Sequence, residues 1–233
     1  VTGTLTGSSG AMSFGSLTLV GSGTYSATSG TTTITGTGTI GAGTNPYSIN
    51  FGTSSTFTHN NGTILDTVSK NHHFYNGAAD DLKHFTFTAG NGSDVFMSAG
   101  TAASTPMNIT GDLTINTGNV RGNSAGQFIT VGGDCVLAAS SDASFSGQSG
   151  THSFGSITIG ANATFSATSG TTTITSNTAT GTRSVYNNGG TFTHNNGTLK
   201  IDTGAATNYD FDGDDLYNFT VECENGSGAL TCD

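Results

Sequence analysis

The sequence predicts an all-β protein whose short strands coil into a right-handed parallel β-helix, or β-solenoid. Three observations predict it: pairs of apolar residues flank a threonine, glycine or asparagine follows most of these triplets, and long blocks of sequence occur twice. Alternation of apolar and polar residues places the apolar side chains on one face of a strand. Glycine and asparagine tolerate the positive φ of tight corners.

Six apolar-threonine-apolar triplets mark expected strands. Successive side chains of a strand point to opposite faces, so each triplet buries two apolar residues and exposes a hydroxyl group. In chain order the triplets are Leu17–Leu19, Phe85–Phe87, Leu113–Ile115, Ile129–Val131, Ile157–Ile159 and Phe219–Val221. No segment combines a capping box with apolar positions at helical spacing, so we expect no helix of about ten residues or more.

A pair of β-sandwiches is the alternative all-β architecture. Sandwiches predict longer strands, joined by hairpins about every 8–12 residues. Short strands favour the solenoid, and so does the low charge, since only 9% of the residues are charged. Turns of a solenoid stack about 4.8 Å apart, where like charges would repel, whereas threonine, serine and asparagine stack without that penalty.

The duplication is the strongest evidence for a repeat architecture. Residues 26–35 (SATSGTTTIT) return letter for letter as residues 166–175, and residues 56–63 (TFTHNNGT) return as residues 191–198. A long period built from short strands is typical of proteins that stack structural repeats.

Two repeats are therefore expected, one over residues 1–140 and an incomplete one over residues 141–233, continuous with the first. The second copy stops about two thirds of the way through its counterpart. We expect a segment of a longer array, whose open ends favour self-association or contact with other structural proteins of the same assembly.

Charge excludes two classes of partner. The chain has 5 basic and 15 acidic residues and a formal charge of −10. Nucleic acids require clustered lysine and arginine, which are scattered here, so no nucleic-acid partner is expected. No apolar run approaches the roughly 20 residues that cross a bilayer, so no membrane insertion is expected.

Three cysteines give little information about redox chemistry. Cys135, Cys223 and Cys232 are an odd number and have no metal-binding spacing. Free buried thiols are the expectation, and a disulfide between Cys223 and Cys232 is the alternative in an oxidising compartment.

Several phrases resemble repeats of large β-helical surface proteins of bacteriophages and bacteria. They are SATSGTTTIT, TFTHNNGT and the segment Leu216–Val221, which reads LYNFTV. The resemblance implies a structural β-helix outside the cell, in a phage fibre, a virion appendage or an adhesin. It offers no catalytic residues to carry over.

An acidic cluster is the candidate metal site. Asp210, Asp212 and Asp214 match the first three ligand positions of a calcium loop, but the twelfth position is Val221 instead of glutamate. Calcium is therefore the one possible cofactor, and a solvated acidic corner is the alternative. The histidines of the repeated motif, His59 and His194, are expected to make hydrogen bonds at corners.

Glycan contact and glycan cleavage are the remaining possibilities. Tyr209, Phe211 and Tyr217 lie beside asparagine and aspartate, a composition that suits contact with host-surface glycans. Cleavage requires carboxylates about 5–10 Å apart. The candidates are the adjacent pairs Asp80/Asp81 and Asp214/Asp215, which a strand would point in opposite directions.

The sequence thus predicts a non-catalytic structural repeat segment of an extracellular fibre or virion-surface appendage. A bacterial surface adhesin repeat is the first alternative, and a β-helical polysaccharide-degrading enzyme is the second.

Overall fold

The computed structural model describes residues 1–39, 46–90, 92–99, 105–122, 128–180, 182–204 and 207–222, together with the backbone of residues 230–232. These residues form strands and contain no helix. Neighbouring strands pair in parallel throughout the ladders. The predicted parallel β-solenoid is confirmed, and the β-sandwich alternative is wrong because sandwiches are built from antiparallel strands.

The strands are short and follow one another at tight corners. In chain order they are β1 (Thr4–Thr6), β2 (Met12–Phe14), β3 (Leu17–Leu19), β4 (Thr24–Ser26), β5 (Thr31–Ile34), β6 (Tyr47–Phe51), β7 (Thr56–Thr58), β8 (Thr63–Asp66), β9 (His72–Asn76), β10 (His84–Thr88), β11 (Asp94–Ala99), β12 (Met107–Ile109), β13 (Leu113–Gly122), β14 (Ile129–Leu137), β15 (Ala143–Ser146), β16 (His152–Ile159), β17 (Thr164–Ser166), β18 (Thr171–Ile174), β19 (Arg183–Asn187), β20 (Thr191–Thr193), β21 (Thr198–Asp202), β22 (Thr207–Asp210), β23 (Asn218–Glu222) and β24 (Leu230–Cys232).

Three faces run along the solenoid, and each of the first eight turns contributes to all three. The first face stacks β1, β4 and β7, then Leu82, β12, the first parts of β14 and β16, β18, β21 and β23. The second stacks β2, β5, β8, β10, the first part of β13, the second parts of β14 and β16, β19, β22 and β24. The third stacks β3, β6, β9, β11, the second part of β13, β15, β17 and β20. The chain completes about eight turns, and β21 to β24 begin further ones.

The two sequence copies lie on different faces of this frame. β1 opens the first turn on the first face, whereas its sequence counterpart β15 lies in the sixth turn on the third face. The copies are therefore separated by five turns and two faces. Equivalent residues point in different directions around the solenoid axis. The ladders run without interruption across the predicted repeat boundary at residue 140.

All six predicted triplets lie within strands and alternate as expected. Leu17 and Leu19 in β3 are buried on either side of a partly exposed threonine, and β10 and β16 repeat the pattern. The buried residues of all turns form one core. Local alternation thus fixes which side of each of these triplets faces inward.

Aromatic rings stack inside the solenoid along the third face. Phe145, Phe165 and Phe192 occupy paired positions in β15, β17 and β20. The ring centres of Phe145 and Phe165 are 5.0 Å apart and those of Phe165 and Phe192 are 5.8 Å apart, with interplanar angles of 16° and 5°. The spacing of the strands therefore also sets the spacing of the rings.

Removing the central ring should destabilise the solenoid strongly. Phe165→Ala leaves a cavity between two rings, and we expect the free energy of unfolding to fall by about 3–5 kcal/mol. Tyr25 is its sequence counterpart and bonds Thr32 Oγ1 at 2.9 Å. Tyr25→Phe keeps the ring and should cost only about 1 kcal/mol. Urea unfolding followed by circular dichroism measures both, and equal losses would contradict a role for the ring stack.

Candidate functional site

The duplicated histidine motif forms a structural corner in both copies. His59 Nδ1 accepts the backbone N–H of Asn61 at 2.9 Å, and His194 Nδ1 accepts that of Asn196 at 2.8 Å. Asn60 and Asn61 have φ of 48° and 61°, in the left-handed region that asparagine tolerates. The corner role predicted for both histidines is confirmed.

Within each copy, the block TFTHNNGT contacts the block SATSGTTTIT of the preceding turn. Asn60 Nδ2 donates to the carbonyl oxygen of Ala27 at 2.7 Å, and Asn195 does the same to Ala167. A Cβ atom on Gly62 would overlap the carbonyl oxygen of Thr28. The corner residues that are identical in the two copies therefore join successive turns of the solenoid.

The predicted calcium ligands do not converge. Asp210 Oδ1 accepts the backbone N–H of Asp212 at 3.0 Å, which closes a tight corner with Asp212 at a φ of 51°. Asp214 Oδ2 instead accepts the backbone N–H of Phe192 at 2.6 Å and an amide hydrogen of Asn187 at 2.9 Å. Within the described residues, no group of three or more histidine, cysteine, aspartate or glutamate side chains is placed to hold a metal. The spacing therefore produces a corner and does not assemble the predicted calcium loop.

The paired carboxylates of the cleavage hypothesis have separate partners. Asp80 Oδ2 accepts the backbone N–H of Phe57 at 2.6 Å, as Asp214 does for Phe192. Asp81 accepts an amide hydrogen of Asn108 at 3.1 Å. Asp80 and Asp214 thus complete the hydrogen bonding of strands β7 and β20 where no strand follows directly.

Truncating this carboxylate should weaken the frame without involving a metal. In Asp214→Ala the N–H of Phe192 loses its acceptor, and we expect a loss of about 1–3 kcal/mol in the free energy of unfolding. The exposed neighbour supplies the control, since Asp215→Ala should cost less than about 0.5 kcal/mol. Thermal unfolding measures both, and we expect added calcium to leave the melting temperature of the unmodified chain unchanged. A calcium-dependent rise would restore the metal site.

The three rings predicted to contact glycans do not share a surface. Tyr209 and Phe211 are only 9% and 8% exposed and belong to the core, where their ring centres are 5.8 Å apart. Tyr217 is 60% exposed and stacks on His194 at 5.6 Å. Tyr217 alone of the three therefore presents an accessible ring, and its contact with glycans stays a prediction.

A groove on the outside of the first face is a concave surface lined by described residues. It has a volume of about 580 Å³ and extends from the residues before β12 and β14 to strand β21. Its floor includes a column of stacked polar residues, since Thr130 pairs with Ser153, Ser153 with Thr173 and Thr173 with Lys200. Pro106 and Phe128 line its other end.

A charged cluster spanning two turns closes one end of the groove. Lys200 Nζ lies 2.8 Å from Asp202 Oδ2 and 2.8 Å from Glu222 Oε2. Hydrogen bonds to Asp202, and then to Glu222, raise the pKa of the Lys200 ammonium group. Asp202 and Glu222 are paired positions of β21 and β23. The sequence did not reveal this cluster because 20 residues separate the two carboxylates. The alternation Lys200-Ile201-Asp202 was the available signal, since it places Lys200 and Asp202 on the same side of a strand.

A buried histidine lies beneath the groove. His152 Nδ1 accepts the backbone N–H of Ile129 at 3.1 Å, and Nε2 lies 2.6 Å from the carbonyl oxygen of Gly147, to which it donates. This arrangement requires the neutral imidazole, because protonated Nδ1 cannot accept a hydrogen bond. Burial lowers the pKa of His152, although its two backbone hydrogen bonds act in the opposite direction.

Stability should therefore decline in mild acid. Above about pH 6.5, His152 is neutral in both the folded and the unfolded chain, so its full contribution is present. Below that pH the unfolded chain binds a proton that the folded chain does not. The free energy of unfolding then falls by up to about 1.4 kcal/mol per pH unit, until the pH reaches the lowered pKa.

The variant His152→Met isolates this effect, because Met12 occupies the equivalent position of the first copy. We expect lower stability than in the unmodified chain at pH 8 and a shallower decline from pH 7 to pH 5. Urea unfolding at several pH values measures the difference, and parallel pH profiles would exclude His152 as its source.

A row of aromatic side chains on the third face is a second surface feature. Tyr47, His73 and Phe96 pair across β6, β9 and β11, with ring centres 5.5 Å and 5.0 Å apart. The Arg121 guanidinium lies 4.7 Å from the centre of the Phe96 ring. Burial, and to a smaller extent the nearby His72, lowers the pKa of His73. The stacked neighbours cover the ring faces, so this row offers little free aromatic surface to a ligand.

A buried histidine–aspartate pair lies inside the first copy. His72 Nε2 lies 3.0 Å from Asp66 Oδ2, and both side chains are fully buried. His72 Nδ1 lies 2.7 Å from the carbonyl oxygen of Lys70, and Asp66 Oδ1 accepts the N–H of Val68 at 3.1 Å. The equivalent positions of the second copy are Ile201 and Thr207. Because solvent does not reach the two side chains, we interpret the pair as part of the packed core of the first copy.

The structure describes the side chain of one of the three cysteines. Cys135 is a free, buried thiol, and burial raises its pKa. It therefore behaves as a small apolar core residue. Cys223 and the side chain of Cys232 lie outside the described residues, so their disulfide stays a prediction.

Comparison of the chain with protein-family models, with curated proteins and with solved structures finds no match. No helix among the described residues is long and apolar enough to cross a membrane.

Proposed function

We propose that the chain is a structural repeat segment of an extracellular fibre or virion-surface appendage. The observation that carries this proposal is that the letter-for-letter repeats maintain the frame. The corner of His59, Asn60 and Asn61 and its counterpart at residues 194–196 hold successive turns together. Duplication of such residues lengthens a rod and does not duplicate a reactive centre.

The surface chemistry fits a rod that resists unfolding and digestion. Threonine, serine and asparagine stack along the outside, where like charges would repel at a spacing of about 4.8 Å. Where the carboxylates of Asp202 and Glu222 do stack, Lys200 bridges them. Hydrogen bonds close corners such as those at residues 59–61 and 194–196, and a hydrogen-bonded backbone is less accessible to a protease.

The partners are further copies of the chain or other structural proteins of the same particle. Strands β1 to β3 each have one edge that pairs with no other strand in the described part of the chain. An unpaired strand edge can accept a strand of another copy or of another protein.

A surface adhesin repeat is the second candidate, and the groove on the first face favours it. A rod that also carries a binding surface holds a ligand away from the cell. The groove does not favour cleavage, because the Lys200 ammonium occupies the space between the carboxylates of Asp202 and Glu222. A glycosidic oxygen would need that space.

Immunogold electron microscopy tests the proposal. An antibody to this chain is applied to the cells that produce it and to the particles that they release. We expect label along fibres or appendages of released particles. Label on cell-surface filaments would replace this proposal with the adhesin, and label confined to soluble protein would overturn both.

A further inference from the structure

We propose that the groove on the first face binds a neutral glycan chain, laid across the turns parallel to the solenoid axis. This inference goes beyond the structural role and does not depend on it. It rests on the shape of the groove, on the chemistry of its floor and on the charge at its closed end.

The shape suits an extended chain. Four steps between stacked strands separate β12 from β21 on this face. At about 4.8 Å per step the groove is about 19 Å long, which is the length of a short oligosaccharide. A chain lying along the axis meets one strand after another, so a regular polymer encounters a regular surface.

The floor offers the polar groups that sugars require. Thr130, Ser153 and Thr173 present hydroxyl groups from consecutive turns, and each hydroxyl both donates and accepts hydrogen bonds. Phe128 adds a partly exposed ring at the opposite end from Lys200. Apolar surface combined with a few convergent polar groups is the usual composition of a ligand site.

The charges select against anionic glycans. Lys200 lies between Asp202 and Glu222, so one positive charge faces two negative charges. The whole chain also carries a formal charge of −10. An ammonium group has three N–H donors, and the two carboxylates use two of them, which leaves one for a sugar hydroxyl. Repulsion of carboxylated or sulfated sugars makes an uncharged glycan the preferred ligand.

The duplication supplies a matched control. Thr33 and Thr173 occupy the same position of the identical block SATSGTTTIT, and both are partly exposed in equivalent strands. Because the second copy is displaced by two faces, Thr173 lies in the groove and Thr33 lies on the second face. The same substitution at the two positions therefore shows whether its effect on binding depends on the position in the groove, because the neighbouring sequence is identical.

The experiment measures binding of maltohexaose, xylohexaose and chitohexaose, with hexagalacturonate as the anionic probe. Saturation-transfer NMR detects binding, and isothermal titration calorimetry gives the dissociation constant. We expect a neutral hexasaccharide to bind at roughly millimolar concentration or below. Thr173→Tyr fills the groove and should weaken binding at least about tenfold, whereas Thr33→Tyr should change it less than about twofold. Tyrosine is well tolerated in strands, and circular dichroism verifies that both variants fold.

A second variant keeps the test independent of the blocking substitution. Phe128→Ala removes the exposed ring and should weaken binding about threefold or more, again with an unchanged circular dichroism spectrum. Three outcomes overturn the inference: no neutral probe binds, Thr173→Tyr and Thr33→Tyr bind alike, or only hexagalacturonate binds. None of these outcomes affects the structural role, which immunogold labelling tests separately.

Discussion

Successive turns of the solenoid are joined by parallel backbone hydrogen bonds, and the spacing of this ladder sets most other contacts. Phe145, Phe165 and Phe192 stack because consecutive strands bring equivalent positions to the distance at which rings pack. Polar residues stack on the outside for the same reason. Where the ladder has no next strand, side chains replace it: Asp80 and Asp214 accept the backbone N–H groups of Phe57 and Phe192.

The same constraint separates the residues that are identical in the two copies from those that differ. Corner residues such as Asn60 and Gly62 meet the backbone of the preceding turn, where a different side chain would leave a hydrogen bond unmade or overlap a carbonyl oxygen. Interior and outward positions have more freedom. The buried pair of Asp66 and His72 is replaced by Ile201 and Thr207. Ile201 needs no hydrogen bond, and the Thr207 hydroxyl bonds Ser184 Oγ at 2.6 Å, so the second pair also fills core positions.

Displacement of the second copy by two faces decides where surfaces form. Equivalent outward residues, such as Thr33 and Thr173, lie on different faces and cannot form one continuous row. The groove therefore forms on the first face, between the turns of β12 and β21, and its chemistry depends on which turns are neighbours. A repeated sequence thus produces a regular frame with a surface that differs from one end to the other.

The sequence by itself determined the strands, their inward faces, the corners and the repeat. The strands, their inward faces and the corners depend on residues only a few positions apart: alternation assigns Leu17 and Leu19 to the core, and His59 bonds the N–H two residues later. The repeat is visible in the sequence itself. Alternation also indicates that Tyr209 and Phe211, two positions apart, share the inward side of the chain, where both are buried. The glycan hypothesis for these two rings came instead from the composition of the surrounding residues.

Only the tertiary structure decided which residues meet across turns. Asp202 and Glu222 are paired, and so are Thr173 and Lys200, at separations of 20 and 27 residues. Because the length of a turn varies with its corners, no fixed spacing in the sequence reveals these pairs. The groove and the cluster around Lys200 depend on the register between strands of successive turns. The lengths of all the preceding corners together set this register.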